Sequence, residues 1–154
     1  MRLIVALVLI AVAIAASISV VLLSDDHGKD DEPQSEKVEG TLVLTIDGVG
    51  IPVVWEDNAS VDGIRALAKD GLTVDTHRYG GFEQVGPLGK SIARDDSSMT
   101  SSPGDIFLYS GNQIVFFFGE NSYSYTPLGR MDLPESEIIS LLDKDSATVT
   151  LHLD

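Results

Sequence analysis

Three tyrosines carry the first chemical suggestion in this 154-residue chain: Tyr79, Tyr123 and Tyr125. Tyr123 and Tyr125 alternate within "GENSYSYT", just past Asn121, and Tyr79 precedes a Gly-Gly pair. Tyrosine offers a flat apolar ring and one polar tip at low entropic cost, which suits recognition of a ligand. A recognition rim of Tyr79, Tyr123 and Tyr125 beside Asn121 is therefore expected. The plainer alternative is packing at the end of a sheet, with each hydroxyl bonded to a loop.

Other chemistries fail on spacing. The chain has no cysteine, which removes disulfides, thiolate catalysis and Cys-based zinc sites. "GKS" at Gly89 to Ser91 resembles the end of a phosphate loop, but Gln84 stands where the first glycine belongs. His27, His77 and His152 lack the spacing of a histidine metal site, and Asp95-Asp96 lacks the alternation of a calcium loop. No GxSxG elbow is present. No metal or cofactor is expected. Asn58-Ala59-Ser60 is a formal glycosylation sequon, and helix capping accounts for it equally well.

The elements that must position the tyrosines are mostly strands. "TLVLTIDGVGIPVVWE" alternates Leu42, Leu44 and Ile46 against polar and smaller neighbours, with Asp47-Gly48 as a turn and Ile51 to Glu56 returning. "NASVDGIRALAKDG" predicts a helix, capped by Asn58 or Ser60 and ended by Gly71. "LTVDTHRYGG" predicts a third strand, and Gly80 to Asp96 an irregular stretch. A second hairpin turns at Gly111-Asn112, and "SYSYTPLGRMD" is extended. "LPESEIISLLDKD" predicts a short helix entered at Pro134, and "ATVTLHLD" a closing strand with Ala147, Val149, Leu151 and Leu153 inward. "IVFFF", greasy on both faces, predicts a central strand with one face in the core and the other under a helix or loop. Many short strands with two short helices predict a mainly β fold, a closed antiparallel barrel. The similarly patterned first and last strands are expected to pair and close it.

The N-terminus is an address label. Leu3 to Leu23 is uncharged, and its 21 residues would span ~31 Å as a helix at ~1.5 Å each, matching a bilayer core. Arg2 precedes it and Asp25, Asp26, Asp30, Asp31 and Glu32 follow, which orients the N-terminus inward and the remainder outward. Residues 1–24 are thus read as a transmembrane anchor, or as a signal segment cleaved near Ala15 or Ala16 to secrete the rest. Residues 25–39 are read as an acidic, disordered tether and residues 40–154 as the folded domain. The expected location is the cell membrane, single-pass, with the domain extracytoplasmic. All 24 acidic residues lie after Ser24, against nine basic ones, so no nucleic-acid partner is expected.

A resemblance rests on "RYGGFEQVGPLGKSIARDD", "SPGDIFLYSGNQIVFFFGENSYSYTPLGRM" and the closing strand. These are similar to the small prokaryotic cyclophilin-like domain family, over nearly all of residues 40–154. The resemblance implies a cyclophilin-type β-barrel flanked by two helices, and it brings no assigned reaction. Cyclophilins bind a prolyl peptide on the outer barrel wall beside an arginine that assists amide rotation, a barrier of ~18–20 kcal/mol. "THRYGGF" is similar to the strand carrying that arginine. The resemblance makes Arg78 the candidate catalytic residue, with Phe82, Gln84, Phe116 and Phe118 forming a groove. The rest of the cyclophilin catalytic strand is missing, and the only tryptophan, Trp55, sits in the first hairpin. An Arg78 paired with surface carboxylates is the alternative. The expected function is a membrane-tethered, extracytoplasmic binding module for a small ligand or peptide segment. A weak prolyl isomerase or folding helper is the second reading, and a structural subunit of a surface complex the third.

Overall fold

The computed structural model describes residues 37–154. The membrane segment and most of the tether read from the sequence lie outside the described residues.

Among the described residues ten strands and two helices follow in the order β1 (Leu42–Ile46), β2 (Val49–Ile51), β3 (Val53–Trp55), α1 (Ala59–Ala68), β4 (Leu72–Tyr79), β5 (Glu83–Pro87), β6 (Ser97–Thr100), β7 (Asp105–Tyr109), β8 (Gln113–Phe117), β9 (Ser122–Met131), α2 (Glu135–Leu142) and β10 (Ser146–Leu153). The sheet runs β2-β1-β10-β4-β5-β8-β7-β9-β3, antiparallel throughout, and β6 pairs with β9 off this path. β2 and β3 are consecutive stretches on either side of Pro52. One pairs with β1 and the other with β9, so they join the two ends of the sheet into a nearly closed barrel. Pro52 has no N–H to give a ladder, but its carbonyl accepts from Asp132 N at 2.8 Å. The first and last strands do pair, from Leu42 opposite Leu153 to Ile46 opposite Val149. The seam that rounds off the barrel is nevertheless the β2–β3 stretch.

Alternation along each strand sorts side chains into two clusters. The larger one fills the barrel. Leu42, Leu44, Ile46, Val74, Val149 and Leu151 meet Ile114 and Phe116 there, together with Val61, Ile64 and Ala68 of α1 and Ile138 and Leu142 of α2. The smaller lies on the outer wall and holds Val85, Phe107, Val115, Phe117 and Tyr125, with Phe82, Met99 and Tyr109 packed against it. β8 therefore has two dry faces, as its apolar run requires. The sequence predicts a helix or loop over its outer face; aromatic rings from β7 and β9 cover it instead. The Phe117 ring centroid lies 5.1 Å from Phe107 and 5.4 Å from Tyr125.

The stretch read as irregular contains β5, a central strand. Its sequence, Glu-Gln-Val-Gly-Pro, has little strand propensity, and tertiary pairing overrides it. Gly86 is required there, because a Cβ would lie 2.6 Å from Val74 Cγ1 and 2.7 Å from the Asp75 carbonyl oxygen of β4. α1 starts as expected: Asn58 Oδ1 accepts from Val61 N at 2.9 Å, and Asn58 Nδ2 donates to the Pro127 carbonyl at 2.9 Å. Ser60 is buried and donates to the Ala93 carbonyl at 2.6 Å. Capping and loop anchoring thus account for this sequon.

Candidate functional site

β4 and β5 form a hairpin whose register sets Arg78 opposite Gln84, and Tyr79 opposite Glu83. Adjacent residues point to opposite faces, so the hairpin carries two separate polar constellations.

On the barrel side, Gln84 is fully buried. Its amide donates to the carbonyls of Leu142, at 3.0 Å, and Lys144. Its oxygen accepts from Thr76 Oγ1 at 3.0 Å. Arg78 pairs with Asp143, and its Nε donates to the Lys144 carbonyl at 3.4 Å. Its guanidinium carbon stands 5.6 Å from the centroid of Phe118. Both side chains grip the chain leaving α2, whose last carbonyls lack helical partners. Phe116 and Phe118 belong to the barrel core. Arg78, Gln84, Phe116 and Phe118 therefore do not form the groove that the resemblance implied.

On the outer side lies a cavity of about 680 Å³. Five of the seven residues expected to bind line it: Tyr79, Phe82, Asn121, Tyr123 and Tyr125. Arg78 and Gln84 do not. The turn that delivers Phe82 needs Gly80, which has φ 58° and lies against the Phe82 ring, whose Cε1 would be 2.5 Å from a Cβ. Phe82 and Tyr79 meet edge to face at 6.1 Å and form one wall. Tyr109, Tyr123 and Tyr125 form the other, with ring centroids 5.8, 6.1 and 6.1 Å apart.

Tyr79 and Tyr123 are 62% and 57% exposed, as a rim requires. Tyr125 is different. It is 3% exposed, and its hydroxyl accepts from Asn121 Nδ2 at 2.7 Å. The Asn121 loop is tied in turn by buried Ser101, whose Oγ donates to the Gly119 carbonyl at 3.1 Å and accepts from Asn121 N at 2.9 Å. Tyr125 is therefore a structural wall, not a solvent-facing rim residue. Burial raises its pKa, partly offset by the Asn121 hydrogen bond.

Sequence reasoning passed over four polar or aromatic lining residues: His77, Glu83, Tyr109 and Gln113. Glu83 matters most. It is 7% exposed, and its Oε2 has no hydrogen-bond partner among the described residues. Burial pushes its pKa from 4.5 to about 7. A buried carboxyl without a donor is costly, and such groups cluster where a ligand or reaction supplies what the protein withholds. The available signal was the hairpin: pairing across Gly80-Gly81 puts Glu83 beside Tyr79. Among the described residues no cluster of His, Asp or Glu has the makings of a metal site.

The fold and cavity define a small antiparallel barrel with a pocket on its outer wall. The chain belongs to the cyclophilin-like family, whose model matches residues 44–153. It is also similar in structure to the hypothetical protein AF2241 from Archaeoglobus fulgidus, solved in solution. That likeness has a TM-score of 0.50 and 17% identity, and covers 79% of this chain and 99% of the other. It shows the fold alone. No curated protein matches the chain.

Proposed function

We propose that the domain is a binding module that takes a small ligand or a short peptide segment into the Glu83 cavity. The observation that carries this reading is the cavity itself: two aromatic walls over a buried carboxyl whose Oε2 lacks a partner. Its volume falls within the range of small-molecule sites, ~300–1,000 Å³. The apolar run at residues 3–23 and the acidic stretch after it support display outside the cell membrane. Protease added to intact cells should then digest the domain or its tether.

The isomerase reading draws no support from the site. Arg78 is paired with Asp143 on the other face of the hairpin and does not line the cavity. A structural subunit would present a flat, exposed apolar patch. Two of the exposed large hydrophobic residues, Tyr79 and Tyr123, belong to the cavity, while Val49, Val54 and Ile139 sit on β2, β3 and α2.

A fragment screen followed by NMR tests the binding reading. Bound fragments should shift the resonances of Tyr79 and Tyr123 before those of Arg78. A broad screen that leaves the cavity tyrosines unmoved defeats it.

A further inference from the structure

We infer that the cavity recognises an organic ammonium group, held by the Glu83 carboxylate and the aromatic rings that line the cavity. This rests on the binding-module reading and names the chemistry of its ligand.

Three features converge. Glu83 Oε2 is buried without a donor, and a ligand N–H would supply one. An aromatic face attracts a cation within about 6 Å of its centroid, and five aromatic rings line this cavity: Tyr79, Phe82, Tyr109, Tyr123 and Tyr125. Among the described residues no lysine or arginine lines the cavity, so none of them already occupies the role. The formal net charge of −14 adds a field that draws cations and repels anions. A carboxylate ligand would face Glu83 and that field with no compensating base except His77. A neutral alcohol would satisfy Oε2 but gain less from the rings.

Two sources share this chemistry: a free amine, or a lysine side chain of a peptide. Bringing an ammonium to Glu83 favours the ionised carboxyl, so binding should release protons and strengthen as pH rises through about 7. The titratable groups that line the cavity with Glu83 are His77 and Tyr79 from β4, Tyr109 from β7, and Tyr123 and Tyr125 from β9. His77 is the one histidine among them, so His77→Gln serves as the control for the pH arm.

The experiment is calorimetry on the full chain in detergent. The probes are n-butylammonium and Nα-acetyl-lysine amide, each beside its N-acetylated neutral counterpart. Each ammonium probe should bind about tenfold or more tightly than its neutral counterpart. Glu83→Gln, which mimics the neutral carboxyl, should sharply reduce that preference, leaving only what the rings and the net charge supply. Tyr123→Ala, an exposed position, should weaken the ammonium probes about two- to thirtyfold and keeps the test open if Glu83→Gln misfolds. Preference for one ammonium probe over the other supports the proposal and identifies the source. Equal binding of charged and neutral probes, unchanged in Glu83→Gln, overturns ammonium recognition and leaves the binding module standing. If no probe binds, the ammonium proposal fails, and the binding module falls with it only if the fragment screen is also silent.

Discussion

The two faces of the β4–β5 hairpin are a controlled comparison within one molecule. Each carries a buried polar side chain on β5, one residue apart. Gln84 has a partner for both its oxygen and its nitrogen, and its contacts clamp the chain after α2. Glu83 has an orphaned oxygen facing a cavity. Burial is similar and satisfaction is opposite. A satisfied buried amide holds a fold together, whereas an unsatisfied buried acid costs stability. Burial alone therefore does not distinguish the two residues. The donor and acceptor tally does.

The largest expected effect tests whether the outer face has a core of its own. Phe117 is fully buried against Phe107 and Tyr125, while its neighbour Phe116 is fully buried in the barrel. Truncating either to alanine should cost ~3–5 kcal/mol, out of a domain stability of ~5–15 kcal/mol. Denaturant melts measure it. A small loss for Phe117→Ala alone would mean that the outer cluster is only a coat on the barrel.

The next effect sharpens the contrast between the two polar residues. Gln84→Ala should lose about 1–3 kcal/mol, because Thr76 and the carbonyls after α2 lose buried partners. Glu83→Gln should go the other way above neutrality. The folded-state pKa of Glu83 is raised, so folding favours its protonated form. Its contribution is fully present below about 4.5 and is lost as pH rises through about 7. Wild-type stability minus that of Glu83→Gln should therefore fall between about pH 5 and pH 8, leaving the variant the more stable at pH 8. A flat difference curve would show that Glu83 ionises freely and that the orphaned oxygen is hydrated.

The smallest effect separates wall from rim. Tyr125→Phe removes the hydroxyl that Asn121 binds and should cost about 1 kcal/mol. Tyr123→Phe removes a hydroxyl from a largely exposed ring and should cost close to nothing. Equal losses in thermal melts would erase the distinction between the two tyrosines.

Much of this architecture was legible in the residues themselves. Leu42, Leu44 and Ile46, the Asn58 cap, the Gly111-Asn112 turn and Ala147, Val149 and Leu151 carry local signals: period-two alternation, a capping side chain, a turn dipeptide. Such signals depend on neighbours a few positions away, so they survive without the fold. The cyclophilin-like family was legible too, because its glycine-punctuated motif is long. The identity of the site was not. β5 is polar and holds a glycine and a proline, and it becomes a strand because β4 and β8 pair with it from both sides. That pairing decides that Tyr79 and Glu83 share the cavity while Arg78 and Gln84 turn to the barrel, since shifting a strand by one residue exchanges its faces. The cavity's second wall comes from β7 and β9, tens of residues further along the chain. Whether a carboxyl at position 83 is solvated or stranded depends on those distant rings, and only the tertiary structure brings them to it.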